Sequence, residues 1–228
     1  MGTVVLSPLA RSFDGALLAV GARADEAGRA AAFADLARRY CESGRYYHTL
    51  RHVGETLTAL QVLVAADRAW DQPTGRAGVL SAVAGGRLAI FFHDAVYDTC
   101  AGDNEARSGE LAVATLTELG CPRSVIRDVD RLVRATGTHV SAEPDEAMIN
   151  DADLRVLARP APAYDVYVRR VRREYGWASP EQWVAGRVAV LRALLDCRVY
   201  ATPWAFHHWE PAARANLRRE LADLRRVR

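Results

Sequence analysis

The chain has little cysteine and little histidine, and each shortage narrows what it can be. Its four cysteines, Cys41, Cys100, Cys121 and Cys197, are scattered with no C-x-x-C pair. That spacing excludes a zinc ribbon or a disulfide frame and fits reduced thiols in a cytoplasmic protein. Excess charge is also lacking. A net charge of +2 gives no concentrated basic face of the kind nucleic-acid binding uses. No apolar run approaches the roughly 20 residues a bilayer span needs. The start, Met1 to Ala10, lacks the basic and apolar regions of a signal peptide, and residues 1–22 read as a loose N-terminal arm. Internal repeats, low-complexity tracts and period-2 strand runs are absent too, so the fold class expected is all-α.

What is present supports a sizeable core. Half of the 228 residues are hydrophobic and a quarter are charged, an ordinary globular balance for one domain with a helical extension. A helix is expected over about Asp25 to Cys41, ended by Ser43-Gly44. The next carries Leu50, Val53, Leu57, Leu60 and Val64 as one apolar stripe. His48 and His52 are then expected one above the other on a single face. Residues 71–75 read as a loop. A long helix follows, about Val79 to Ala95, whose Leu88-Ala89-Ile90-Phe91-Phe92 is apolar on all sides and so central. Gly85-Gly86 inside it has no explanation at this level.

A polar loop over Val96 to Asn104 leads to helices beginning near Glu105 and Pro122. A loop over Thr136 to Asp145 bears His139. Helical patterns follow around Glu146 to Leu157 and Tyr164 to Tyr175. Ser179-Pro180-Glu181-Gln182 is a capping box with proline at the first helical position, opening a helix to about Asp196. Leu217, Leu221 and Leu224 mark a last helix after Pro211.

Three of the six histidines fall in two short segments, Tyr47-His48-Thr49-Leu50-Arg51-His52 and Phe92-His93-Asp94. Imidazole beside carboxylate at the end of a buried helix is a metal-ligand pattern. Asp151-Ala152-Asp153 is the natural source of a further carboxylate. The two acids point about 200° apart on a helix, so one of them faces the metal. The set suits one divalent transition ion, Zn, Mn, Fe, Co or Ni, without selecting among them. Such an ion acidifies bound water to a pKa of about 7, the nucleophile a phosphoester hydrolase requires. His139, His207 and His208 have no partner in their sequence context and read as ordinary histidines. Arg169, Arg170, Arg172 and Arg173 read first as a solvated face. Guanidinium nevertheless suits phosphate, which keeps Arg172 and Arg45, one turn before His48, as substrate-binding candidates.

These residues resemble the HD-domain superfamily of metal-dependent phosphohydrolases, an all-α helical bundle named for its His-Asp pair. More narrowly, the chain looks like the bacterial family of metal-dependent HD phosphohydrolases with poorly defined substrates. The likeness covers most of the chain: Arg45-Tyr46-Tyr47-His48, Phe92 to Asp98, Asp103-Asn104-Glu105 with Arg107-Ser108, Asp151 to Leu154, Glu174-Tyr175 and Ala213 to Leu217. It implies an HD-type domain over 23–228 with a C-terminal helical extension.

Tyr47-His48 with His52 is similar to the Tyr-His-Asn-x-x-His segment of cyclic-nucleotide phosphodiesterases. That likeness implies a general acid in His48 and a metal ligand in His52, and its Ala-Asp-Leu favours Asp153 as the last ligand after His93 and Asp94. Thr49 replaces the asparagine. His93 to Thr99 is similar to a segment of guanosine tetraphosphate hydrolases, which implies catalytic roles for Asp98 and Glu105; Tyr97 replaces their glutamate. His139 alone lies between Asp94 and Asp153, which favours one metal, although His139 with Asp98 or Glu105 leaves room for a second. The activity implied is hydrolysis of a small phosphorylated metabolite, expected to be a nucleotide. The rivals are a di-iron HD oxygenase and a non-catalytic nucleotide-binding module. Neither nucleic acid nor membrane is implied as a partner, and a homodimer is left open.

Overall fold

The computed structural model describes residues 7–66 and 75–226, with the backbone alone for 75–82. Among them there are eleven α-helices and no strand, so the all-α expectation holds. No helix among the described residues is long and apolar enough to cross a membrane. The loop expected over 71–74 lies outside the described residues.

The expected loose arm is corrected for residues 8–19. Pro8–Ala19 is a helix, α1, with Ser7 as its N-cap accepting from the Ala10 N–H at 3.1 Å and Pro8 in its first turn. Phe13, Ala16, Leu17 and Val20 recur at helical spacing and are buried. Burial of Phe13, Leu17 and Val20 stabilises by roughly 1.5–3 kcal/mol each, so this segment belongs to the core. α2 (Glu26–Arg39) begins at the Asp25 cap, and Gly44, at φ 96°, turns the chain after it. α3 is Leu50–Ala66 and α4 is Gly75–Phe92.

α4 is the central helix. Leu88, Ala89, Ile90, Phe91 and Phe92 are wholly buried. α1 packs on it through Phe13, whose ring meets Phe91 edge-on at 5.1 Å. α3 also contacts α4, as do α5 (Asn104–Glu118), α6 (Arg123–Ala135) and α7 (Pro144–Asp153). Gly86 accounts for part of this crowding. A Cβ there would lie 3.2 Å from Ile149 Cδ1 of α7 and 3.8 Å from Leu60 Cδ2 of α3. Its missing side chain lets three helices close up.

α7 passes directly into a short 3₁₀ turn, Leu154–Ala158. α8 (Ala161–Glu174) and α9 (Pro180–Asp196) follow, the latter opened by the expected capping box. A short helix the periodicity did not reveal, α10 (Pro203–His208), precedes α11 (Glu210–Arg226). α11 lies against the 3₁₀ turn and α9. Its Asn216 amide donates to the carbonyls of Leu157 and Arg159 at 2.9 and 2.8 Å, which anchors the chain just after α7.

Candidate metal centre and its cavity

Four side chains meet where three helices end. His52 lies in the first turn of α3, His93 and Asp94 directly follow α4, and Asp153 closes α7. His52 Nε2 is 3.0 Å from His93 Nε2. Asp94 Oδ2 is 3.0 Å from His93 Nε2 and 3.4 Å from His52 Nε2. Asp153 Oδ1 is 3.0 Å from His52 Nε2 and 3.4 Å from His93 Nε2. His52, His93 and Asp94 offer ligand atoms within 4.8 Å of one another.

The end of α4 is fixed through its unsatisfied carbonyls. The Tyr40 hydroxyl donates to Phe91 O at 3.1 Å. The buried Arg45 guanidinium donates to Asp94 O at 2.6 Å and Ala95 O at 3.0 Å. Ser108 Oγ accepts from the Val96 N–H at 3.0 Å. The His-Asp pair is therefore set by backbone contacts on both sides of it.

The chemistry of this donor set is compatible with a bound cation. His93 Nδ1 lies 2.8 Å from Ile90 O, so Nδ1 bears hydrogen and Nε2 has its lone pair facing the cluster. His52 Nε2 faces the same point. Two neutral lone pairs 3.0 Å apart repel, and two carboxylates add negative charge around them. A proton or a metal ion relieves both conflicts. Burial disfavours imidazolium, but the hydrogen bonds and charges of Asp153 and Asp94 outweigh it, and His52 is pushed up to about 9. His93 is raised well above the ordinary range against the same burial. Asp94 and Asp153 are partly buried, which raises a carboxylate, yet the facing histidines hold both well below the usual carboxylate range. Imidazole nitrogen with carboxylate oxygen fits a divalent transition ion and does not choose among Zn, Mn, Fe, Co and Ni.

His48 does not sit on the helix with His52. It lies in the turn before Leu50, and the cause is Glu174 at the end of α8. Glu174 Oε1 accepts the N–H groups of Tyr46, Tyr47 and His48 at 2.7, 2.6 and 3.0 Å. These bonds hold the chain in a turn where the helix would otherwise begin. Glu174 Oε2 is 2.7 Å from His48 Nδ1 and accepts from the Tyr97 hydroxyl at 3.2 Å. The Glu174 side chain is fully buried. Burial pushes its pKa up, but the His48 and backbone hydrogen bonds prevail and pull it down to about 2.

His48, His93, Asp94, Asp153 and Glu105 line one cavity of about 680 Å³. His139 joins them, contrary to its reading as an ordinary histidine. Its Nε2 is 3.1 Å from Asp153 Oδ2, and its backbone adopts φ 52°, a left-handed conformation rare for a residue with a side chain. Gly137 lets this loop pass over Glu105, whose carboxyl carbon would lie 3.3 Å from a Cβ there.

Three sequence expectations are corrected. Arg45 is spent on backbone carbonyls and does not line this cavity. Arg172 donates to Tyr175 O at 2.6 Å and Ala178 O at 3.1 Å, closing the end of α8 instead of facing a substrate. Asp98 is exposed, and its carboxylate accepts from the Cys100 N–H at 2.9 Å in a turn of its own loop, outside the cavity lining. Asp151 diverges from Asp153 as helix geometry requires. It accepts from the Ala201 and Thr202 N–H groups, both at 2.8 Å, and from the Thr202 hydroxyl at 2.6 Å, so it ties the start of α10 to α7.

Glu174 and His139 are the site residues whose placement sequence reasoning missed. The positive charges around Glu174 resemble a solvated helix end, and its three backbone partners lie more than 120 residues upstream. His139 had a weak signal: a histidine amid loop residues, 14 positions before Asp153. Comparison with protein-family models, with curated proteins and with solved structures gives no match to this chain.

Proposed function

We propose that the protein is a metal-dependent phosphohydrolase of the HD type acting on a small phosphorylated metabolite, a nucleotide being the expected class. The observation that carries this reading is the meeting of two imidazole nitrogens and two carboxylates at one point, beside a cavity that His93, Asp94 and Asp153 line together with His48, which Glu174 backs from behind. His52, His93, Asp94 and Asp153 would hold the ion. A divalent ion there supplies Lewis-acid charge for a phosphoryl oxygen and acidifies a water at neutral pH.

The protein groups have separable tasks. Glu174 accepts the Nδ1 hydrogen of His48, so Nε2 is the ring nitrogen left to exchange a proton with the cavity, and it carries that proton in the imidazolium form. As a water oxygen bonds to phosphorus, the bond from phosphorus to the leaving oxygen breaks, and His48 gives that oxygen its proton. Glu105, which has no ion-pair partner among the described residues, takes the proton of the attacking water. His139 steadies Asp153 through its second oxygen.

Phosphate release should be measured across nucleotides and sugar phosphates with several divalent metals, beside metal analysis of protein purified without added metal. Turnover that depends on a divalent ion supports the proposal. Nucleotide binding without turnover under every metal contradicts it, and so do two irons per chain with oxygen-dependent turnover.

A further inference from the structure

The cavity beside the metal ligands has two unlike ends. One is acidic, with Asp94, Glu105 and Asp153. The other is aromatic, with Tyr175, Trp177 and Trp183. Trp177 is 57% exposed and Val190, on the same wall, 49%. Large apolar side chains left open at a cavity mouth mark a place where apolar ligand surface is covered.

The aromatic wall is held in place before any ligand arrives. Trp177 donates its indole N–H to Thr99 Oγ1 at 2.8 Å. Tyr175 lies between the two indoles, with ring centroids 6.2 Å from Trp177 and 5.8 Å from Trp183. Arg172 ties the carbonyls of Tyr175 and Ala178 and sits over the Trp183 ring at 5.4 Å. The residue expected to bind phosphate therefore builds the wall instead.

Positive charge is scarce in this cavity. Among its lining residues Arg187 is the one arginine, and it is spent. Its Nε and Nη2 donate to the two Glu220 oxygens at 2.7 and 3.0 Å, and Nη1 donates to the Tyr167 hydroxyl at 3.3 Å. Arg51, Arg155 and Arg159 line a different cavity, on the far side of Asp153. Arg51 and Arg159 are paired there with Glu55, and Arg155 packs over the Trp209 ring. Polyphosphate sites need several guanidinium, ammonium or backbone N–H groups to offset their charge. Here Asp94 and Asp153 would balance the charge of one divalent ion and Glu105 adds a third carboxylate, so no positive charge is left over for a second or third phosphoryl group.

We propose that the cavity selects a phosphomonoester: one phosphoryl group at the acidic end, on a planar aromatic body stacked at the tryptophan end. Nucleoside monophosphates and aryl phosphates meet this description, and nucleoside di- and triphosphates do not. The proposal rests on the hydrolase reading for its chemistry, while the aromatic subsite stands on the cavity itself.

The test uses 1-naphthyl phosphate, glycerol phosphate, a nucleoside monophosphate and the matching triphosphate as substrates, and 1-naphthyl phosphonate as a non-hydrolysable probe read by tryptophan fluorescence. Naphthyl phosphate and the monophosphate should show kcat/KM at least tenfold above glycerol phosphate and the triphosphate. Trp183→Ala should weaken naphthyl phosphonate binding tenfold or more. Trp177→Ala, at a position 57% exposed, should weaken it in the same direction. Preference for the triphosphate, or naphthyl phosphonate binding that neither substitution alters, overturns the proposal and leaves the hydrolase reading intact. If no phosphoester is turned over but the probe binds and both substitutions weaken it, the aromatic subsite is supported and the hydrolase reading falls.

Discussion

Glu174 Oε2 lies 2.7 Å from His48 Nδ1, and the same carboxylate holds three consecutive backbone N–H groups ending at His48 itself. One buried acid thus fixes both where His48 stands and which ring nitrogen faces the cavity. Glu174→Gln retains an oxygen for the backbone but puts an amide NH₂ where Nδ1 needs an acceptor. Turnover should fall by roughly 10–100-fold, with metal content unchanged and a shifted pH profile for kcat. Unchanged kcat in a variant that keeps its metal would show that His48 needs no positioning by Glu174.

Glu174 also predicts how stability depends on acid. Its pKa is about 2 in the folded chain against an ordinary 4.5. For a depressed carboxylate the stabilisation is complete above the unfolded value and disappears as pH falls through the folded one. The contribution is on the order of 3 kcal/mol above pH 5, lost between about pH 4.5 and 2. Urea unfolding across this window should show a shallower pH dependence for Glu174→Gln than for the natural chain. Equal slopes would remove Glu174 as a source of acid sensitivity.

Arg45 is expected to act on the fold of the site and not on substrate. Arg45→Met leaves the carbonyls of Asp94 and Ala95 without their donors, and each orphaned buried carbonyl costs about 1–3 kcal/mol. The melting temperature and the metal affinity should both fall. Calorimetry with metal titration checks this. A variant with natural stability and metal affinity but a raised KM would return Arg45 to the substrate.

That His52, His93, Asp94 and Asp153 come together was legible in the sequence because each sits at the edge of a strong apolar helical pattern. The all-apolar run before His93 could only be a central helix, and Leu88 to Phe92 are indeed wholly buried. The capping box at Ser179 was legible for a similar local reason. Periodicity gave no access to Glu174, which overrides local helix propensity at His48 from the far side of the chain. It also gave no reason for Gly86, whose partners Ile149 and Leu60 lie on other helices. α1 is different. Ser7-Pro8 and the Phe13, Ala16, Leu17, Val20 spacing were in view, and they describe a capped, one-sided helix rather than a loose arm. Arg45 and Arg172 show the limit of residue type as a guide. Guanidinium suits phosphate, yet both are used here on carbonyls at helix ends.

The central claim is that His52 holds a metal while His48 moves a proton. Metal content and turnover, measured for His52→Ala and His48→Ala, test it most directly. His52→Ala should lose its metal and nearly all activity. His48→Ala should keep its metal, while turnover falls by about 10²–10⁴-fold, and by less for a nitrophenyl ester, whose leaving oxygen departs without a proton. A metal-free His48→Ala beside a metal-loaded His52→Ala would contradict the account by exchanging the two roles.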